Sequence, residues 1–168
     1  MYFSLLITLY TLFNTAWATQ SILLLGDSVS AGYQMSQEQS WAYLLNKRLK
    51  AEKAPYQLIN ASISGETTSG GLSRLPAILA DQKVDHLLIE LGGNDGLRGY
   101  APKKIKSNLL QMITIAQDKG INVSLIKIKI TPNYGPRYLQ LFEQVFDEVA
   151  QEKSITFNGQ IKCAAGLG

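Results

Sequence analysis

The stretch Ile22-Leu23-Leu24-Leu25-Gly26-Asp27-Ser28-Val29-Ser30-Ala31-Gly32-Tyr33 runs from a short apolar block into a polar turn bounded by glycines. An unbroken apolar block ending at Gly reads as a strand buried on both faces. The same kind of block recurs along the chain, and strands are predicted at Ile22 to Leu25, Gln57 to Asn60, His86 to Leu91, Asn122 to Ile130 and, briefly, Ile155 to Phe157. Between them lie segments whose apolar residues return every three or four positions, the period of a helix with one buried stripe. These stripes are Trp41, Leu44, Leu45 and Leu49; Leu72, Leu75 and Leu79; Ile105, Leu109, Met112, Ile113 and Ala116; and Tyr138, Leu141, Phe142, Val145 and Val149. Pro102 near the start of the third helix and Gly120 just past its end fit the usual helix boundaries. Strand and helix alternate throughout, which implies parallel pairing with helices on both faces. The expected fold is α/β, a three-layer α/β/α sandwich around a central parallel sheet. Binding sites in such sheets form at the carboxyl ends of the strands, so the loops after each strand carry the functional information.

Composition narrows the classes. A chain of 168 residues, 46% of them hydrophobic, supports a single globular core. The formal charge of +3 arises from 16 basic and 13 acidic residues scattered along the sequence, without the basic cluster that nucleic acid would select. Cys163 is the single cysteine, so no internal disulfide is expected, and no metal-ligand spacing or cofactor site is evident. The first 18 residues form a separate unit: Leu5 to Phe13 is largely apolar and Ala16-Trp17-Ala18 has the small-x-small pattern of a signal peptidase site. A cleaved signal peptide over residues 1–18 and a periplasmic or secreted protein are expected, although the segment carries no Lys or Arg ahead of its apolar core. The apolar run falls short of the ~20 residues needed to span a bilayer, so no stable membrane anchor is expected.

Three strand-following loops carry polar groups suited to chemistry. Gly26-Asp27-Ser28-Val29-Ser30-Ala31-Gly32 puts Ser28 at a strand-to-helix turn, where a helix N-terminus would favour a developing negative charge. Taken alone, an Asp-Ser pair at such a turn reads first as a plain helix cap. The sequence lacks the Gly-x-Ser-x-Gly elbow, because Ser30 holds the final position, and it lacks the Gly-Lys-Ser/Thr ending of a phosphate loop. Asn60-Ala61-Ser62-Ile63-Ser64-Gly65 offers a backbone N–H at Gly65, and Gly92-Gly93-Asn94-Asp95-Gly96 offers the amide of Asn94. Either alone reads as an ordinary turn. Glu90, a charge inside an apolar strand, needs a partner that the sequence does not reveal.

Taken together, these three loops fall at one edge of one sheet, and here the chain resembles the SGNH (GDSL) hydrolase superfamily. The wording Gly26-Asp27-Ser28-Val29-Ser30-Ala31-Gly32-Tyr33, Asn60-Ala61-Ser62-Ile63-Ser64-Gly65 and Glu90-Leu91-Gly92-Gly93-Asn94-Asp95-Gly96-Leu97-Arg98-Gly99 is similar to the periplasmic arylesterase, thioesterase and lysophospholipase branch. Pro132-Asn133-Tyr134-Gly135-Pro136-Arg137-Tyr138 adds to the likeness, which spans about Ile22 to Phe157. The resemblance implies a flavodoxin-like SGNH hydrolase fold over residues 19–157 and an acyl-enzyme formed on Ser28. It implies an oxyanion hole from the N–H of Ser28, the N–H of Gly65 and the side chain of Asn94, with small acyl esters, thioesters or lysophospholipids as substrates. The segments Gly96 to Ala101 and Thr131 to Arg137 would shape the acyl pocket.

One block of the pattern is absent. The family takes its base from an Asp-x-x-His block after the fifth strand, whereas residues 158–168 form a divergent tail with neither Asp nor His, and the closing helix is missing too. His86, the one histidine, opens the third strand, and eight residues at ~3.3 Å each put it over about 20 Å from the carboxyl edge. The expectation is therefore a truncated, nearly inactive chain, from a frameshift, an incomplete gene or a genuine short paralogue. The alternatives are a non-catalytic acyl or lipid binder and, more remotely, a flavodoxin-like cofactor or nucleotide protein.

Overall fold

The computed structural model describes residues 18–131 and 134–163. Nearly all of the expected signal segment lies outside them, as do Pro132, Asn133 and the last residues of the tail. The strands are β1 (Gln20–Gly26), β2 (Tyr56–Asn60), β3 (His86–Glu90), β4 (Asn122–Ile130) and β5 (Thr156–Cys163). Helices follow them as α1 (Ser28–Ala31), α2 (Trp41–Ala51), α3 (Thr68–Asp81), α4 (Gly93–Leu97), α5 (Pro102–Gln117) and α6 (Gly135–Lys153). The strands form one parallel sheet in the order β2-β1-β3-β4-β5. The chain leaves β1 toward β2 on one side and later crosses to β3 on the other. The strand order reverses there, and a crevice opens at the carboxyl ends of β1 and β3.

Alternation along β1 assigns the layers. Leu23 and Leu25 face a large core with Leu87, Ile89, Leu75, Ile105, Leu109, Met112, Phe142 and Phe146, all wholly buried under α3, α5 and α6. Each such side chain contributes ~1.5–3 kcal/mol by leaving water. Leu24 points the other way, to a small cluster with Leu58 and Ala42 that Trp41, Leu45 and Leu88 partly cover. The stripe predicted for α2 is consequently only half used: Leu44 remains 50% exposed. The helix lies over β2, at the margin of the sheet, while three helices share the opposite face.

Two differences from the sequence reading concern backbone pairing. β5 does not stop at Phe157; it runs to Cys163, with Ile128, Lys129 and Ile130 paired to Ile161, Lys162 and Cys163. Hydrophobic periodicity fades in this segment, but the outer edge of β4 carries N–H and C=O groups that need partners. At the other margin, Asn46 of α2 serves β2 as a surrogate strand: its Nδ2 donates to the Leu58 carbonyl at 2.7 Å and its Oδ1 accepts from the Leu58 N–H at 2.8 Å.

Candidate active site

Ser28, Gly65 and Asn94 follow β1, β2 and β3, which are neighbours in the sheet, so parallel pairing brings the three loops to one edge. Gly26 pairs with Glu90, which sets the loops after β1 and β3 level. At the centre stands Asp27. Its Oδ1 accepts from the Val29 N–H at 3.1 Å and its Oδ2 accepts from Asn94 Nδ2 at 3.2 Å. Asp27 is thus the helix cap, and Ser28 becomes the first helical residue, with its hydroxyl released from capping. Among the described residues no side-chain hydrogen bond engages that hydroxyl. α1 is only four residues long, so the helix-end field expected from the sequence is slight, and individual N–H groups must do the stabilising.

Gly65 turns the chain with φ +77, a left-handed value that glycine adopts without strain. The loop is clamped on both sides: Glu66 pairs with Arg74 of α3 at 2.7 Å, and Arg98 Nη2 donates to the Gly65 carbonyl at 3.3 Å. Among the described residues the N–H groups of Ser28 and Gly65 have no hydrogen-bond acceptor, and Asn94 has a second amide hydrogen beyond the one given to Asp27. Hence three donors without an assigned acceptor lie on the loops around one unengaged hydroxyl.

Buried polar groups hold this frame from behind. Asp95 accepts from the Thr68 N–H at 2.9 Å and from Thr68 Oγ1 at 2.6 Å, while Asn108 Nδ2 donates to Thr68 Oγ1 at 2.9 Å, tying α4 to α3 and α5. Burial raises the carboxyl pKa of Asp95 and of Asp27 above the usual range. Glu90, left without a partner in the sequence reading, accepts from Ser30 Oγ at 2.7 Å and lies 3.4 Å from the Asp27 N–H. It is wholly buried, and burial, together with the Asp27 charge, pushes it up to about 8. The cap role of Asp27 was legible in the Asp-Ser pair, but its bond to Asn94 and the roles of Thr68, Asn108 and Arg98 were not, because they depend on contacts across the fold. Glu90 left a signal in the sequence, as a charge in an apolar strand.

The loops expected to shape an acyl pocket do meet. Tyr134 donates its hydroxyl to the Leu97 carbonyl at 3.1 Å, and Tyr138 donates to the Tyr100 carbonyl at 2.7 Å. On the other flank, a groove of about 530 Å³ lined in part by Ala31, Met35, Tyr43, Asn60 and Ser62 opens beside the Ser28 turn. A larger cavity of about 740 Å³, between Asn46, Lys50, Lys53 and Tyr56, lies near the amino end of β2, away from the Ser28 turn. His86 opens β3 at the amino end of the sheet, level with Ile22 and Asn122, with Nε2 2.8 Å from Ser124 Oγ; because β3 has five residues and Asn94 stands in α4, the strand puts ~13 Å rather than ~20 Å between His86 and the carboxyl edge. Burial lowers its pKa.

Comparison with known proteins gives a consistent picture. Residues 24–158 match the model of the GDSL-like lipase/acylhydrolase family. The chain is 50% identical over 138 residues to the esterase TesA of Pseudomonas aeruginosa, covering 82% of this chain and 69% of that protein. It is 45% identical over 150 residues to an arylesterase of Vibrio mimicus, covering 89% of this chain and 75% of the relative. The crystal structure of the esterase EstA from Pseudoalteromonas sp., inhibited by monoethylphosphonate, superposes with a TM-score of 0.82 at 43% identity, over 83% of this chain and 76% of that one.

Proposed function

Because this chain belongs to the GDSL-like lipase/acylhydrolase family of ester hydrolases, we propose that Ser28 is its nucleophile and that the N–H groups of Ser28 and Gly65 and the amide of Asn94 receive the oxyanion. The observation that carries this reading is the set of unengaged donors grouped around an unengaged hydroxyl at the switch point of the sheet. Ser28 Oγ adds to the carbonyl carbon of an ester or thioester, and the carbonyl oxygen takes the charge. Collapse expels the alcohol or thiol with a proton and leaves an acyl group on Oγ. Water then attacks the acyl carbon and releases the acid. Donors fixed in advance on this oxygen are each worth ~10²–10³ in rate. Small acyl esters, thioesters and lysophospholipids are the substrates proposed, with the Leu97 to Tyr100 loop and Tyr134 against the acyl chain. Export to the periplasm or beyond is proposed from the apolar segment and Ala16-Trp17-Ala18; no helix among the described residues is long and apolar enough to cross a membrane.

The proton of Ser28 needs a destination. His86 is the sole histidine of the 168 residues and lies at the far end of β3. Loss of the triad histidine in subtilisin costs ~10⁶ in turnover while oxyanion donors and binding retain ~10³–10⁴ over water, so these 168 residues by themselves are proposed to hydrolyse esters weakly. Purified chain incubated with p-nitrophenyl butyrate tests this: weak hydrolysis whose excess over the protein-free rate rises with added imidazole and falls to zero in Ser28→Ala supports a nucleophile in want of a base. Acyl esters that bind with no Ser28-dependent turnover, with or without imidazole, would establish instead a non-catalytic acyl binder.

A further inference from the structure

Behind the nucleophile turn, the end of β3 presents a carboxyl group in a place built for a neutral one. Glu90 is wholly buried, its Oε2 is engaged by Ser30 Oγ at 2.7 Å, and its Oε1 has no partner among the described residues. The Ser62 hydroxyl, also buried without a partner, closes on Gly26 from the same side: a Cβ there would lie 2.6 Å from Glu90 Oε2 and 2.8 Å from Ser62 Oγ. Gly26 is therefore the residue that makes room for the carboxyl beneath the turn. The groups facing Glu90 are the Asp27 carboxyl and the Ser30 hydroxyl from the turn after β1, and the Ser62 hydroxyl from the loop after β2; Asp95 of α4 adds its charge to that acting on Asp27. No cation pairs with Glu90 or Asp27 among the described residues. A buried carboxylate beside a second carboxylate, with a free lone pair and no counter-ion, is costly; a carboxylic acid in the same place gains a hydroxyl to donate.

We infer that Glu90 is a positioning residue for Ser28, held as a carboxylic acid whose hydroxyl bonds to the Asp27 carboxyl, and that its ionisation loosens the turn carrying the nucleophile. The inference deepens the reading of Ser28 given above and rests on it for its link to catalysis. Burial and the Asp27 charge push the Glu90 pKa up to about 8, against an ordinary value of 4.5. The raised value means that the folded chain holds a proton the unfolded chain gives up. The stabilisation is complete below about pH 4.5, declines as the pH rises and is lost beyond about 8. Mild alkali thus acts on the very turn that presents Ser28.

The experiment compares the full chain with Glu90→Gln, which keeps the shape and a donor but cannot ionise. In the parent at pH 7 an infrared carbonyl band of a protonated carboxyl is expected, bleaching with a midpoint near 8, and the variant should lack that band. The amide resonances of Asp27, Ser28 and Val29 should shift with the same midpoint in the parent and stay still in the variant. Between pH 6 and 9.5 the parent should lose roughly 5 °C more in Tm than the variant. Ser30→Ala, which removes the hydrogen bond favouring the charged form, should raise the midpoint and keeps the proposal testable if the first variant does not fold. An unchanged band in Glu90→Gln, or turn resonances that titrate alike in both proteins, overturns the inference. If these signals behave as expected while imidazole-assisted ester hydrolysis above the imidazole-only rate is unchanged by Ser28→Ala, the reading of Ser28 as nucleophile fails and the role of Glu90 in the turn stands.

Discussion

At the scale of single residues, the site is organised by Asp27, which the family pattern treats as the letter before the serine. One carboxylate oxygen caps the turn and the other anchors Asn94, so a single side chain sets both the proposed nucleophile and a proposed oxyanion donor. Asp27→Ala should cost ~0.5–2 kcal/mol as a lost cap and should also release Asn94, giving a larger fall in Ser28-dependent hydrolysis than in stability. Asn94→Ala should lower imidazole-assisted hydrolysis by ~10²–10³ with little change in the far-ultraviolet circular dichroism spectrum. A rate unchanged by Asn94→Ala would remove that side chain from the oxyanion site. Ser28, Gly65 and Asn94 were readable from the sequence because each stands in a glycine-associated turn after a strand. Their supports were not, since Thr68 and Asn108 or Arg98 look like ordinary polar residues until the chain brings them together.

At the scale of elements, the helices hold the loops at fixed height above the sheet. Gly71 of α3 shows how closely: a Cβ there would run into Leu91 and come within 3.5 Å of Leu25 Cδ2. Gly71→Ala should therefore destabilise by ~1–3 kcal/mol through overpacking, lowering Tm by ~2–4 °C per kcal/mol. Calorimetry checks the shift, and phosphonate labelling of Ser28 at low temperature should be retained. Near the mouth of the site, α6 fastens the Leu97 to Tyr100 loop through two tyrosine hydroxyls. Removing one of these bonds with Tyr138→Phe costs ~1 kcal/mol and should broaden acyl-chain preference across a C2 to C12 ester series. An identical preference in parent and variant would separate that loop from the acyl pocket. The helix periods predicted every long helix, but α4 was read as a turn, because five residues containing Gly-Asn-Asp-Gly carry no apolar stripe.

At the scale of the whole molecule, the parallel order β2-β1-β3-β4-β5 puts every candidate site residue at one edge and His86 at the other. A base supplied from solution should therefore raise turnover, whereas His86→Ala should leave it unchanged, and a large loss in that variant would contradict the separation. The sequence by itself determined the fold class, the long helices and the three loops that carry chemistry, because period and punctuation are local properties written residue by residue. It also determined that the lone histidine is remote, since a strand has a fixed rise per residue. Only the tertiary structure decided how far β5 extends, why α2 keeps Leu44 in water, and which groups surround Glu90. Those outcomes depend on which backbone edges remain unpaired, on how many helices share a face, and on which side chains folding brings together, and none of these exists before the chain has folded.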